Sequence, residues 1–361
     1  MNISRTDQLQ DSPPFAFKFT PALSAMLWEM GITLAFSTYQ AGKVVFLSAS
    51  PDGRLIQLPR TFYRPMGLAL SGNRLAVASQ WAIEVLENCP SLAYGYPQQP
   101  NTYDALYVPR ATYYTGHNNM HDIEWGRDAL WGVNTAFSCL CTIGDQLSFK
   151  HQWHPAFITE LRPEDRCHLN GMAMQEGVPR FVTALGTGDS EKSWRPDRLH
   201  SGVIMHVPSG DFLATHLPIP HSPRMINGDL YLLLSATGEL VRIDTCSGKR
   251  DTVAQCNGYV RGLDYYNGLF FVGISKVREE CASKYPLPIL QKGPLMTGIV
   301  VINAATGNEV ARVEYASSVE DIYDVKVLKN MRRPGILNTA NEYHKRAIVT
   351  EETSYWAELE N

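Results

Sequence analysis

The sequence predicts a six-bladed β-propeller, a closed ring of antiparallel sheets. The first observation is a unit of strand, turn and strand that recurs about every 50 residues, a period typical of propeller blades. The second is the scarcity of helical sequence after residue 31, where short apolar runs alternate with turns rich in Gly, Asn and Asp. The third is the length of 361 residues, which a closed all-β ring reaches within one domain.

Six segments are predicted to be the first strands of blades. In each, a small or polar residue stands directly before an apolar stretch, and turns such as Asn227-Gly228 and Asn267-Gly268 indicate that the chain then folds back as a hairpin. The residues that define this alignment are Gly67, Asp122, Gly171, Arg224, Gly262 and Asp324.

The two ends of the chain are expected to share one blade. The sixth of these first strands, 321–328, is followed by little strand sequence, whereas the strands within 32–60 have no first strand of their own. Sharing closes the ring and removes its open edges. We therefore predict an N-terminal arm with a short helix over 1–31, the propeller over 32–336, and a tail over 337–361 packed on or near the ring. A β-sandwich with a helical arm is the alternative, and it accounts less well for the repeat.

Composition argues against some classes of partner and compartment. The net charge of −4 gives no reason to expect nucleic acid or an anionic membrane. No apolar run approaches the roughly 18 residues that span a bilayer, and the N-terminal residues lack the apolar core of a secretion signal. We expect a cytoplasmic protein whose seven cysteines are reduced and mostly buried.

Polar residues recur at equivalent positions in the six first strands. These strands line the central channel of a propeller, and their side chains alternate between the two faces. Polar groups that converge there need water, one another or a ligand. The residues three before the alignment position are Arg64, Asn119, His168, His221, Tyr259 and Asp321, and those one before it are Met66, His121, Asn170, Pro223, Arg261 and Tyr323.

Histidines from successive blades suggest a metal site as one alternative. His121, His168 and His221, with a carboxylate such as Asp324 or Asp321, are residue types that bind Zn²⁺, Mn²⁺ or Fe²⁺. A divalent transition metal is therefore the candidate cofactor.

Arginines on the same strands suggest an anion site as the second alternative. Arg64, Arg224 and Arg261 would hold a carboxylate or phosphate group while a histidine serves as general acid or base. The third alternative is a plug of polar groups that satisfy one another and bind nothing.

Three long segments interrupt the repeat. Residues 87–117 are rich in Pro and Tyr, 186–201 contain Trp194-Arg195 among Gly and Ser residues, and 276–297 form a third excursion. Binding residues concentrate on long loops that a rigid scaffold positions. Trp194 and Arg195 are expected to fold over the channel mouth and contact a ligand, with a simple surface stack as the alternative.

Several motifs spread over nearly the whole chain resemble one family. They are Tyr39-Gln40-Ala41-Gly42-Lys43, His121-Asp122, Trp194-Arg195, Pro220-His221-Ser222-Pro223-Arg224, Thr297-Gly298-Ile299-Val300, Tyr323-Asp324-Val325 and Arg332-Arg333-Pro334. The sequence is similar to an uncharacterised bacterial family of conserved hypothetical proteins, some of which are joined to tetratricopeptide repeats. The resemblance implies a propeller-like fold and supplies no assigned catalytic residue. The tetratricopeptide association implies a role among protein partners, although this chain has no such repeat.

The leading functional hypothesis is a cytoplasmic enzyme, such as a lyase, a hydrolase or a metal-dependent enzyme. It would act on a small polar, anionic or peptidic substrate at the central channel. The alternative is a non-catalytic scaffold that binds a protein partner through the Tyr/Pro-rich segment 87–117 and the N-terminal arm. The predicted catalytic residues are His121, His168, His221 and Asp324, and the three histidines are also the candidate metal ligands. The predicted substrate-binding residues are Arg64, Asn119, Asn170, Trp194, Arg195, Ser222, Arg224, Tyr259, Arg261 and Asp321.

Overall fold

Six antiparallel blades form a closed ring in the computed structural model, which describes residues 12–277 and 287–358. Each blade contains four strands, and two of the blades carry a fifth strand at the outer edge. The predicted six-bladed propeller is therefore confirmed. No helix among the described residues is long and apolar enough to cross a membrane.

The described part of the N-terminal arm packs on the ring. It contains strand β1 (Phe17–Phe19) and helix α1 (Pro21–Met30). The helix begins with a proline, which needs no backbone donor there, and ends at Gly31, whose φ of 63° suits glycine. Its buried side presents Leu23 and Leu27 to the core shared by the first and last blades. The short helix that the sequence predicted is thus present.

The strands of the ring follow one another in chain order. Blade 1 contains β2 (Thr33–Thr38), β3 (Lys43–Ala49) and β4 (Leu55–Thr61). Blade 2 contains β5 (Leu68–Ser71), β6 (Arg74–Ala78), β7 (Ala82–Asn88), then helix α2 (Pro90–Ala93) and β8 (Ala105–Tyr114). Blade 3 contains β9 (Met120–Trp125), β10 (Leu130–Asn134), β11 (Cys139–Ile143) and β12 (Lys150–Trp153).

The second half of the ring repeats this arrangement. Blade 4 contains β13 (Leu169–Gln175), β14 (Val178–Ala184), β15 (Gly202–His206) and β16 (Phe212–Leu217). Blade 5 contains β17 (Pro220–Ile226), β18 (Asp229–Leu234), β19 (Glu239–Ile243) and β20 (Arg250–Gln255). Blade 6 contains β21 (Tyr259–Tyr266), β22 (Leu269–Ser275), β23 (Gly298–Asn303) and β24 (Glu309–Tyr315), and β1 pairs with β24. Strand β25 (Asp324–Leu328) then returns to blade 1 as its innermost strand.

The ring closes where β25 pairs with β2, as the sequence predicted. The register places Phe36 opposite Val325, and every residue of β2 is buried. Phe36 and Val325 belong to one apolar cluster with Tyr315 of blade 6, so the closing blade is packed against its neighbour as well as hydrogen-bonded within itself.

The C-terminal tail packs against blade 2. Strand β26 (Pro334–Ile336) pairs in parallel with β8, and a hairpin of β27 (Ala347–Val349) and β28 (Ser354–Trp356) follows. Trp356 Nε1 donates a hydrogen bond to the Leu92 carbonyl at 3.2 Å.

The interpretation of 87–117 as a loop is wrong. Helix α2 and the whole of strand β8 lie within it, and Tyr96 and Tyr103 are buried in an apolar cluster with residues of the tail. The sequence pattern did not show this because the apolar partner is about 240 residues away along the chain. Segment 276–297 belongs only partly to the described structure, since residues 278–286 lie outside it.

The described thiols are unpaired, and most of them are buried, as expected. Cys246 is exposed, and the seventh cysteine, Cys281, lies outside the described residues. The buried ones are Cys89, Cys139, Cys141, Cys167 and Cys256.

Replacing Phe36 with alanine should lower the free energy of unfolding by about 3–5 kcal/mol, because it empties a fully buried position in the closing blade. Phe212, which is 49% exposed on blade 4, is the matched control, and Phe212→Ala should cost about 1 kcal/mol or less. Urea unfolding of both variants measures the difference. Equal costs at the two positions would contradict the packing of the closing blade.

Candidate functional site

A cavity of about 490 Å³ lies at one end of the ring of inner strands. It is lined mainly by the starts of the inner strands and by the loops that precede them. The two aligned positions, three residues and one residue before the alignment residue, both contribute side chains to its lining. The predicted site residues that line the cavity are Asn119, His121, His168, Trp194, Arg195, His221, Tyr259, Arg261 and Asp321.

Strand alternation agrees with both positions reaching the same cavity. The positions three and one before the alignment residue are two residues apart and therefore share a face of a regular strand. Strand β17 shifts register between His221 and Arg224, and β13 shifts between Leu169 and Gly171. Such bulges redirect side chains locally, and in these two blades only His168 and His221 line the cavity, whereas Asn170 and Pro223 do not.

Five predicted site residues lie outside the cavity lining: Arg64, Asn170, Ser222, Arg224 and Asp324. Arg64 is exposed, where its guanidinium lies 5.6 Å from the ring centroid of Tyr39 and donates to Gln80 Oε1 at 3.4 Å. Asn170 is buried between blades, where Nδ2 donates to the Pro220 carbonyl at 3.0 Å. Its Oδ1 accepts from Thr183 Oγ1 at 2.7 Å, so both ends of the amide are used within the protein.

Arg224 forms a buried ion pair among the inner strands. Its Nη1 and Nη2 donate to the two carboxylate oxygens of Asp122 at 2.8 and 3.1 Å, and Nη2 lies 3.8 Å from Asp324 Oδ1. Burial raises the pKa of Asp324 to about 6, against the opposing effects of Lys326 and Arg224. Arg224 is thus engaged by the carboxylates of both Asp122 and Asp324. We therefore do not assign Arg224 or Asp324 a catalytic or substrate-binding role.

The same carboxylates bridge neighbouring blades. Asp324 Oδ2 accepts a hydrogen bond from the Leu68 backbone N–H at 2.9 Å, which joins blade 1 to blade 2. Asp122 Oδ2 accepts from the Met172 N–H at 3.0 Å, which joins blade 3 to blade 4. Ser222 Oγ plays this part between blades 5 and 6, where it accepts from the Gly262 N–H at 3.0 Å.

Histidine 221 is held as one tautomer. The ring is only 3% exposed, and Nδ1 lies 2.8 Å from Ser235 Oγ. The Ser235 hydroxyl donates its single proton to the Val260 carbonyl at 2.6 Å, so it can only accept from His221. The proton of the neutral ring is therefore on Nδ1, and Nε2 carries the lone pair.

The other two histidines are held in the same way. His121 Nδ1 donates to the Asn119 carbonyl at 2.9 Å, and His168 Nδ1 donates to Asp165 at 2.9 Å. Among the described residues, none of the three Nε2 atoms has a hydrogen-bond partner. Three imidazole nitrogens that can accept a proton are thus available at the cavity.

Burial, with neighbouring positive charge as a further cause, keeps two of these rings neutral. Burial is the main cause that lowers the pKa of His121 well below its usual range, and repulsion from His168 and Arg261 adds to it. Burial likewise lowers the pKa of His221, with Arg261 and then His168 as further causes. At neutral pH both rings are therefore bases rather than cations.

The cavity carries an excess of positive charge. Among the described residues, four cationic side chains and two carboxylates line it. Asp165 is engaged by His168, and Asp321 Oδ1 accepts from Thr38 Oγ1 and the Gln40 N–H, each at 3.1 Å. Arg261 lies with its guanidinium carbon 3.5 Å from the ring centroid of Tyr323. Its charge has no carboxylate within ion-pair distance in the part of the chain that the structure describes.

The histidines do not form a metal-ligand cluster. Within 12–277 and 287–358, no three His, Cys, Asp or Glu side chains are grouped so that they could hold one metal ion. The rings of His121 and His168 instead pack edge to face with their centroids 4.8 Å apart. The metal alternative therefore has no ligand group to support it among the described residues.

Some lining residues were missed by the sequence reasoning. Tyr323 occupies the same aligned position as His121 and Arg261, so the repeat pointed to it, but its aromatic ring was not weighed as a site residue. Tyr39 and Lys276 come from loops outside the aligned strands. Ser235, which sets the tautomer of His221, follows the second strand of blade 5 and had no signal in the sequence.

Comparison with known proteins places the chain in a family. A family described as a domain of unknown function, DUF4915, matches residues 21–337. The chain belongs to the DUF4915 family. This membership confirms the resemblance to an uncharacterised family that the sequence motifs indicated.

Solved structures share the fold of this DUF4915 chain at low sequence identity. A protein of unknown function from Bacteroides caccae is 11% identical with a TM-score of 0.51, and the match covers 82% of this chain and 98% of that one. A chain from a structure titled as a nidogen/laminin complex is 9% identical with a TM-score of 0.51, covering 83% and 99%. Curated proteins yield no significant match. These similarities establish the fold and carry no activity.

The lowered pKa of His221 predicts a loss of stability on acidification. As the pH falls below the unfolded value of about 6.5, the unfolded state binds more protons than the folded state, so the free energy of unfolding decreases. One such group contributes up to about 1.4 kcal/mol per pH unit. His221→Asn keeps a donor toward Ser235. It should reduce the change of the free energy of unfolding with pH, measured by denaturant unfolding from pH 7.5 to 5.5. The exposed His216→Asn variant is the control, and equal slopes for both variants would contradict the prediction.

Removing Arg224 should destabilise the ring strongly. Arg224→Met leaves the Asp122 carboxylate buried without its partner, at an expected cost of about 3–5 kcal/mol. The double variant Asp122→Asn/Arg224→Met should lose less, because no unpaired charge remains. The exposed Arg242 pairs with Asp251, so Arg242→Met should cost about 1 kcal/mol or less. Denaturant unfolding measures all three, and a cost at Arg224 as small as at Arg242 would refute the structural role.

Proposed function

We propose that this DUF4915 protein binds a small anionic organic molecule in the cavity and acts on it by proton transfer. The observation that carries the proposal is the guanidinium of Arg261, which has no carboxylate partner among the described residues and lies beside neutral histidines. A cation in a partly enclosed cavity favours an anionic ligand, because water screens the attraction less there than at the surface.

The cavity fixes the position of the anion contact. Stacking on Tyr323 orients the plane of the Arg261 guanidinium, so its donors are directed before a ligand arrives. Lys276 and Arg195 line the same cavity and add positive charge. A volume of about 490 Å³ suits a small organic molecule.

His168 is the best-placed base for the proton transfer. Its Nδ1 donates to Asp165, and a carboxylate in this position stabilises the positive charge that appears when Nε2 accepts a proton. His121 lies in ring contact with His168, and a bound anion would offset the repulsion among these groups and Arg261. Abstraction of a proton from the ligand is the first step of many lyase reactions, and activation of water in the same way would serve a hydrolase.

The scaffold alternative finds less support. It required the Tyr/Pro-rich segment 87–117 to present its tyrosines to a protein partner, but Tyr96 and Tyr103 are buried against the chain's own tail, whereas Tyr94 and Tyr114 are exposed. We therefore do not propose this segment as a partner surface.

A thermal-shift screen with citrate, succinate and glycerol phosphate tests anion binding, with glycerol as the neutral control. At least one anion should stabilise the wild type, and Arg261→Gln should weaken its binding roughly 10-fold to 150-fold, the effect of one lost hydrogen bond to a charged group. The exposed Arg242→Gln variant should bind as the wild type does. The proposal fails if no anion stabilises the wild type, or if Arg261→Gln binds as tightly.

Proton transfer can be followed without knowing the product. Each acid that binds is incubated with the protein in D₂O, and proton NMR reports exchange at its C–H positions. His168→Gln should slow the exchange about 10²-fold to 10⁴-fold with little change in binding. Exchange that continues unchanged in His168→Gln would remove this residue from the base role.

A further inference from the structure

Tyr323 and Trp194 line the cavity, and each has a buried hydrogen-bond donor without a partner in the described part of the chain. The Tyr323 hydroxyl and the Trp194 indole N–H are enclosed, and neither has an acceptor among the described residues. The two side chains are only 6% and 9% exposed. Buried donors in native proteins are nearly always satisfied, since an unmet one loses its hydration and gains nothing in return. Both donors therefore indicate acceptors that a bound molecule would supply.

The donors lie on either side of the paired histidines. The Trp194 ring is 4.3 Å from that of His168, and the Tyr323 ring is 5.6 Å from that of His121. The two histidine rings are 4.8 Å apart. A molecule that accepts from both donors therefore extends past the two imidazoles, where proton transfer would occur.

Tyr323 is held so that its hydroxyl has little freedom to find another acceptor. The guanidinium carbon of Arg261 lies 3.5 Å from the centroid of the Tyr323 ring. The Tyr39 ring stacks with the Tyr323 ring, with the two centroids 6.2 Å apart. Because the Arg261 guanidinium lies against the Tyr323 ring, a ligand whose anionic group contacts Arg261 would place its other oxygen atoms close to Tyr323.

Trp194 is fixed by its loop. Ser193 Oγ donates to the Arg166 carbonyl at 2.9 Å, which ties the loop to the segment before blade 4. Gly186 approaches the tryptophan so closely that a Cβ at that position would lie 3.0 Å from the Trp194 Cβ. The Trp194 side chain is thus held at the cavity by a packed segment.

We infer that the ligand is a polyoxygenated organic acid, such as a hydroxy acid or a sugar acid. Its anionic group would contact Arg261, and its neutral hydroxyl or carbonyl oxygens would accept from Tyr323 Oη and Trp194 Nε1. This inference rests on the proposed anion site and adds that oxygen acceptors, rather than charge alone, determine which acids bind. Aliphatic acids of the same charge leave both donors unsatisfied and bind more weakly.

Two matched pairs of acids test the inference by calorimetric titration. Gluconate and hexanoate share one charge and six carbons, and tartrate and succinate share two charges and four carbons; only the first of each pair carries hydroxyl groups. At least one hydroxylated acid should bind the wild type 10-fold or more tighter than its partner. Tyr323→Phe keeps the ring and its contact with Arg261. It should weaken binding of the hydroxylated acid about tenfold and leave the affinity for the aliphatic acid unchanged. Tyr231→Phe, on blade 5 outside this cavity, should change neither affinity.

The possible results separate the inference from the proposed function. If both members of each pair bind equally and Tyr323→Phe changes nothing, the acceptor requirement is overturned while the anion site stands. If none of the four acids binds the wild type, the inference is overturned, and the wider anion screen decides the proposed function. Thermal unfolding of Tyr323→Phe checks that a lost preference does not come from a disordered ring.

Discussion

The free inner edges of the six central strands are the constraint on which this structure depends. Each inner strand pairs with a neighbour on one side only, so backbone N–H groups on its other side face the channel without a strand partner. Side chains of adjacent blades satisfy them: Asp324 reaches Leu68, and Asp264 reaches Val327 with Oδ2 at 2.7 Å from the backbone nitrogen. Blades are thereby joined at the axis as well as through their apolar faces, and a buried polar group that has its partner becomes a source of specificity in the ring.

This requirement divides the polar groups of the inner strands into two layers. In the deeper layer, Arg224 is paired with Asp122 and lies 3.8 Å from Asp324, so its charge is already met within the protein. The cavity above it is different, because its histidines use Nδ1 within the protein, and among the described residues neither their Nε2 atoms nor the Arg261 charge has a partner. None of the residues that line the cavity also lines the pockets beside Lys326. The two layers therefore differ in whether their charged groups are paired, which distinguishes structural residues from candidate binding residues.

The sequence reasoning identified the ring of polar residues but could not separate these layers. His221 and Arg224 stand three residues apart in one motif, and strand alternation placed them on opposite faces without showing which face had partners. The register shift within β17 sends His221 toward the cavity and Arg224 toward Asp122, which is about 100 residues away along the chain. Neither a bulge nor an ion pair over that separation has a signature in a single sequence, so the sequence predicts an anion contact at Arg224 where the structure has an internal ion pair.

By itself, the sequence determined the propeller, the number of blades, the shared closing blade and the strand starts that carry His121, His168, His221 and Arg261. It could do so because these features are written in local patterns: an apolar repeat, turn residues and a polar position before each first strand. Only the tertiary structure decided the tautomers of the histidines and showed that, among the residues it describes, Arg261 has no carboxylate partner and Tyr323 and Trp194 are buried without acceptors. These properties depend on which groups from different blades meet at the axis, and the distances between such groups follow from ring closure rather than from spacing along the chain.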